Sequence, residues 1–93
     1  LAIFCFNDQV ALGLLSALRE LDIKVPEQVS IIGNDNIQVA EHNALPLTTI
    51  SPPKFEMGRK AAEILINNIE ATQPMTITNI IMNAELIVRR SSK

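Results

Sequence analysis

Asn7, Asp8 and Asp35 are the side chains whose types and spacing could do chemistry. Two carboxylates and an amide could hold a cation, move protons, or accept and donate hydrogen bonds to a polar ligand. Their neighbours narrow the choice. The sequence carries no Cys/His ligand set, no phosphate-binding glycine loop and no nucleophile elbow. Its one histidine, His42, lies in the polar run Glu41-His42-Asn43 and reads as a surface or interface residue. Each acid also has an ordinary structural reading. Asp8 stands at a helix start, where it would cap free N–H groups and complement the helix dipole. Asp35 follows a strand and could be a turn residue. Both readings stay open on position alone.

These residues sit where elements change. Residues 2–6 are continuously apolar, as in a parallel strand covered on both faces. A helix is predicted over 8–21, with Asn7 or Asp8 as cap, a stripe of Val10, Leu14, Leu18 and Leu21, and Ala11, Leu15 and Ala17 widening it. Gly13 interrupts that helix, which suggests close approach of the sheet or of a partner. A second strand follows at 29–33, ending in Asn34-Asp35-Asn36. Strand, helix and strand at this spacing form a βαβ unit, whose crossover is right-handed and whose strands are parallel. Asp8 and Asp35 then share one edge of a sheet, the edge at which open α/β sheets bind ligands.

Further along, 37–47 supports a short helix before Pro46, and 47–50 a short strand that includes Thr48 and Thr49. Pro52-Pro53 forbids regular structure, and a helix is predicted over 54–70 with Phe55, Ala62, Leu65 and Ile69 as its stripe. The tail from Thr76 to Arg89 is β-like, either a hairpin or two strands of different sheets. Arg89-Arg90-Ser91-Ser92-Lys93 reads as a frayed end.

Bulk properties exclude several classes. The chain has 93 residues, 47% of them hydrophobic, which suits one globular domain or part of one. A formal net charge of −2 gives no electrostatic footprint for nucleic acid or an acidic membrane. Apolar runs fall far short of the ~20 residues of a membrane helix. The single cysteine, Cys5, reads as a small buried hydrophobe and fits a reducing compartment. The chain opens inside a strand, and one βαβ unit needs more strands to close a core, so a fragment of a longer protein is expected.

An ordered series of short blocks then resembles a known family. It runs Phe4-Cys5-Phe6-Asn7-Asp8, Ala11-Leu12-Gly13, Ala17-Leu18, Val25-Pro26, Val29-Ser30-Ile31-Ile32-Gly33-Asn34-Asp35, Leu47-Thr48-Thr49-Ile50, Met57-Gly58 and Leu86-Ile87-Val88-Arg89-Arg90-Ser91-Ser92. The series is similar to the C-terminal part of the effector-binding domain of LacI/GalR-family transcriptional regulators. The resemblance implies an α/β fold: a fragment of a two-lobed, periplasmic-binding-protein-like architecture with parallel sheets flanked by helices. Residues 1–49 would belong to the C-terminal lobe, 50–83 would cross over and contribute to the N-terminal lobe, and 84–93 would return to the C-terminal lobe. Ser51, Pro52 and Pro53 would be the hinge.

The resemblance also implies roles. Asp35 matches an aspartate that hydrogen-bonds the effector, Asn7 an asparagine that contacts sugar hydroxyls, and Asp8 its neighbour. Val10, Leu14, Glu41, His42 and Asn43 become dimer-interface candidates. The implied partners are a small-molecule effector such as a sugar, a second copy of the chain, and operator DNA bound through a headpiece outside these residues. The protein would be a cytoplasmic repressor, with no catalysis, cofactor, metal or membrane. Asn34 replaces a usual aromatic, Asn36 a frequent second acid and Pro52 a common glutamine, and these departures bear on which effector fits. Two rivals share parts of the pattern: a solute-binding protein of a sugar transporter, and an enzyme with a metal between Asp8 and Asp35.

Overall fold

In the computed structural model, which describes residues 1–74 and 77–93, four strands and three helices alternate along the chain. The strands are β1 (Ala2–Phe4), β2 (Ser30–Asn34), β3 (Thr48–Ser51) and β4 (Glu85–Ile87). The helices are α1 (Asp8–Glu20), α2 (Gln38–His42) and α3 (Lys54–Glu70). They form two compact units, Leu1–Pro52 with Ala84–Lys93, and Pro53–Asn83.

The first unit holds one four-stranded sheet in the order β1-β2-β3-β4. β1 pairs parallel to β2 with Phe4 opposite Ile32, and β2 parallel to β3 with Gly33 opposite Thr49. β4 closes the sheet antiparallel to β3, with Ile50 opposite Leu86. The three parallel strands therefore end at a common edge. Neither reading of the tail, a hairpin or two strands of different sheets, is met among the described residues: one strand forms there, beside β3 and beginning at Glu85.

α1 starts because Asn7 caps it: the extended Asn7 backbone lets Oδ1 accept the Val10 N–H at 2.9 Å. It ends in a turn that needs a left-handed residue. Asp22 supplies it with φ 55°, while Asp22 N–H donates to Arg19 O and Ile23 N–H to Leu18 O. The inward face is Asp8, Ala11, Leu15 and Leu18, spaced three, four and three residues apart. This corrects the predicted stripe. Val10, Ala17 and Leu21 are exposed and Leu14 is half-buried. A charged residue at the head of the stripe shifted the apparent periodicity by part of a turn. Gly13 points outward with nothing within 4 Å of where a Cβ would stand, so no sheet approaches it.

The core of this unit gathers Cys5, Ala11, Leu15, Leu18, Val29, Ile31, Ala40 and Leu47, with Ile3, Ile23, Ile37 and Leu45 packed around it. Burial pushes the Cys5 thiol pKa up. β1 is shorter than predicted and is not covered on both faces. Ile3 and Cys5 turn toward the core, while Phe4 and Phe6 alternate outward and are exposed. The apolar run had concealed that alternation.

The tail is also unlike its prediction, because its end is not frayed. Ser91 is fully buried and stands between β2 and β3 before their pairing begins. Its O accepts the Ile31 N–H at 2.7 Å, its Oγ donates to Ile31 O at 2.7 Å, and that Oγ accepts the Thr48 N–H at 2.8 Å. Thr48 Oγ1 in turn accepts the Arg89 N–H at 2.9 Å and meets Ser92 Oγ at 2.7 Å. Polar composition suggested disorder; satisfied backbone groups give order instead.

The second unit is α3 and the segment after it. α3 spans the predicted residues, and on its exposed face Arg59 pairs with Glu56 at 2.8 Å and Glu63 at 3.4 Å. Such exposed pairs contribute a few tenths of a kcal/mol each. None of its residues is buried, and Phe55, Leu65, Ile66 and Ile69 are all exposed. A cleft of about 280 Å³ lies between α3 and the following segment, lined by Met57, Lys60, Ile64, Thr78, Ile80 and Met82. Thr76, where the β-like reading of the tail began, lies outside the described residues. Among the described residues of 77–84 no strand forms. No helix among the described residues is long and apolar enough to cross a membrane.

Candidate functional site

At the common edge of the parallel strands, three chain segments turn within hydrogen-bond reach of one another. β1 leads into Asn7 and the start of α1; β2 leads into Asn34, Asp35 and Asn36; β3 ends at Ser51. The capping bond fixes the Asn7 amide: Oδ1 accepts the Val10 N–H, and Nδ2 carries the side chain's donors.

Asp8, next along, is the first residue of α1 rather than its cap, and it has no exposed surface. Oδ1 accepts from Thr49 Oγ1 at 2.6 Å and Oδ2 from the Ile37 N–H at 2.8 Å. The carboxylate lies over Gly33, where a Cβ would overlap Asp8 Oδ1 and stand 2.9 Å from a Leu47 methyl. A glycine at this strand position is required by the close approach of Asp8, not by its own backbone angles.

The loop after β2 is held from several sides. Asp35 and Asn36 adopt φ 109° and 51°, values rare for residues with a side chain and costing of order 1–3 kcal/mol for the first. The Asp35 N–H donates to Ile50 O at 2.9 Å, and its Oδ1 accepts a long bond from Asn34 Nδ2 at 3.4 Å. Asn36 is bonded at three points: N–H to Thr49 Oγ1 at 3.3 Å, Nδ2 to Ser51 Oγ at 3.1 Å, and Oδ1 accepting from Arg89 Nη2 at 2.9 Å. The Arg89 guanidinium also donates to Leu47 O at 3.0 Å. Asp35, Asn7 and Asp8 are thus brought to one rim. Thr49, Ser51, Gly33 and Arg89 complete it, and sequence reasoning missed their part. The signals were a glycine directly before a polar cluster and paired threonines in the short strand that follows.

The remaining candidates lie elsewhere. Val10, Glu41 and His42 are exposed, Leu14 is half-buried, and Asn43 is half-buried with Nδ2 donating to Leu45 O at 3.2 Å. A groove of about 500 Å³ runs between the C-terminal half of α1 and the turns around it, lined by Leu12, Leu15, Arg19, Asp22, Asn43 and Leu45 among others. Its lining holds none of Asn7, Asp8 or Asp35. Pro52 ends the first unit and Pro53 begins the second, while Ser51 belongs to β3. Among the described residues no three His, Cys, Asp or Glu side chains gather as a metal site.

Comparison with known proteins gives this chain a family. Residues 1–92 match the family model described as a periplasmic binding protein-like domain. The chain is 46% identical over 92 residues to the HTH-type transcriptional repressor PurR of Vibrio vulnificus, covering 99% of this chain and 27% of that protein. It is 45% identical over 92 residues to the arabinose metabolism transcriptional repressor of Geobacillus stearothermophilus, covering 99% and 25%. Among solved structures it superposes on the transcriptional regulator CelR–cellobiose complex with a TM-score of 0.87 and 35% identity, over 98% of this chain and 28% of that one. The chain spans about a quarter of the length of the curated relatives it matches. It belongs to the periplasmic-binding-protein-like domain family, and it is similar to the effector-binding part of LacI-family regulators.

Proposed function

We propose that these residues are the ligand-binding and dimerisation part of a LacI-type DNA-binding repressor that responds to a sugar or a similar small polar molecule. The unit made of Leu1–Pro52 and Ala84–Lys93 would be the C-terminal lobe, Pro53–Asn83 part of the N-terminal lobe, and Ser51, Pro52 and Pro53 the hinge. The observation that carries the reading is Asp35. It is held at φ 109° at a strand-end rim, and strain of this kind collects at ligand sites. Chemically the rim offers an acceptor at Asp35 and a donor at Asn7, the pairing that vicinal hydroxyls require. The repressor relatives favour a regulator over a transport protein.

Effector binding would stabilise one arrangement of lobes over another, and that difference in free energy would reach operator DNA through a headpiece outside this chain. A cytoplasmic homodimer follows from the same reading, with Val10, Leu14, Glu41, His42 and Asn43 at its interface. Titration calorimetry of the intact protein with cellobiose, glucose and ribose tests the site. For whichever probe binds, Asp35→Ala is expected to weaken affinity by about tenfold or more, the loss of a hydrogen bond to a charged group. Unchanged affinity would remove Asp35 from the site.

A further inference from the structure

We infer that Asp8 is the positioning residue of this site: its carboxylate sets the loop that carries Asp35 against the helix start that carries Asn7. The inference rests on the effector reading of Asp35 and adds a residue that acts through it. Asp8 is fully buried, and both of its carboxyl oxygens are bonded at the rim. Oδ2 takes the Ile37 N–H directly, at the exit of the loop. Oδ1 acts through a relay. Thr49 has one hydroxyl proton and gives it to Asp8 at 2.6 Å, which turns its lone pairs toward the Asn36 N–H at 3.3 Å.

One carboxylate thus fixes two successive amides of a loop whose Asp35 and Asn36 angles persist only if the surroundings over-determine them. Because Asp8 directly follows Asn7 and begins α1, the same bonds set where the Asn7 amide stands relative to Asp35. Gly33 leaves the space in which this happens. Asp8 presents no surface of its own, so its contribution to a ligand is geometric.

The test uses the intact protein and the variants Thr49→Val, Thr49→Ser, Asp8→Asn and Asp35→Ala. Amide hydrogen exchange is read at Asn36 and Ile37, against Ile31 and Ala11 in the core, with calorimetry of the same sugar probes. Thr49→Val and Asp8→Asn are expected to speed exchange at Asn36 and Ile37 about tenfold while Ile31 and Ala11 stay within about twofold. The affinity for any probe that binds should fall by a similar factor, and Thr49→Ser, which keeps the hydroxyl, should restore both.

A purely structural role would speed exchange throughout and leave the affinity of the folded protein unchanged; that result overturns the inference. So does a loop that loosens without loss of affinity, or one that does not loosen at all. If Asp35→Ala binds like the parent, the effector reading fails instead. In that case, or if no probe binds, the exchange ratios alone decide whether Asp8 positions the loop.

Discussion

Gly33 and Asp8 share a volume that holds only one side chain. A methyl at Gly33 would overlap Asp8 Oδ1 and crowd Leu47, so Gly33→Ala must expel the carboxylate from its two hydrogen bonds or spread β2 from α1. Overpacking and an unsatisfied buried acid together predict a loss of about 3 kcal/mol or more in urea denaturation. The sign of the coupling is the sharper check. Asp8→Ala should cost less in the Gly33→Ala background than in the parent, because the carboxylate has already left. Additive losses would mean that the two do not compete for space. These residues show what the sequence made legible. Asn7 and Asp35 were visible because each ends a recognisable strand. Asp8 was visible as an acid at a helix start, but its partner Thr49 lies 41 residues away, and no local pattern links them. Arg89 was hidden by composition: beside Arg90 and two serines it looked like a loose basic end, whereas its guanidinium ties Leu47 O to the Asn36 amide.

At the scale of elements, α1 is stabilised at both ends and weakened in the middle. Asn7 caps its start and the turn at Asp22 closes its end, while Gly13 sits exposed within it, with ordinary helical angles and empty space beside it. Gly13→Ala should raise stability by about 0.5–1 kcal/mol, seen as a higher urea midpoint with unchanged slope. A fall in the intact protein would instead place a neighbouring chain against that face. The sheet depends on a different device. β2 and β3 start apart, and Ser91 fills the gap with three hydrogen bonds, two of them through its hydroxyl. Ser91→Ala orphans Ile31 O from that hydroxyl and leaves the Thr48 N–H without an acceptor, predicting a loss of about 2–4 kcal/mol in the same assay. The parallel order of β1 and β2 could be derived from the strand–helix–strand spacing. The wedge could not, because it joins the end of the chain to strands more than 40 residues earlier.

For the whole molecule, the decisive quantity is uncovered apolar surface. The first unit buries a core beneath α1 and leaves Phe4, Phe6, Leu86 and Val88 exposed. The second unit buries none of α3, although its stripe of Phe55, Leu65, Ile66 and Ile69 has the periodicity of a packed helix. Helices in proteins derive most of their stability from packing such a face, and exposed apolar patches of this extent mark surfaces that meet other protein. With the chain covering about a quarter of its repressor relatives, the remainder of such a protein would supply that cover. Expressed alone, these residues are therefore expected to self-associate, with a sedimentation coefficient that rises with concentration up to on the order of 100 µM and with binding of an apolar dye. The two units should respond differently to heating. Far-UV helicity from α3 should melt gradually, because no core amide depends on it, while the Ser91–β2–β3 region should unfold cooperatively. A dye-silent monomer with one cooperative transition for both units would show that α3 finds its cover within these 93 residues.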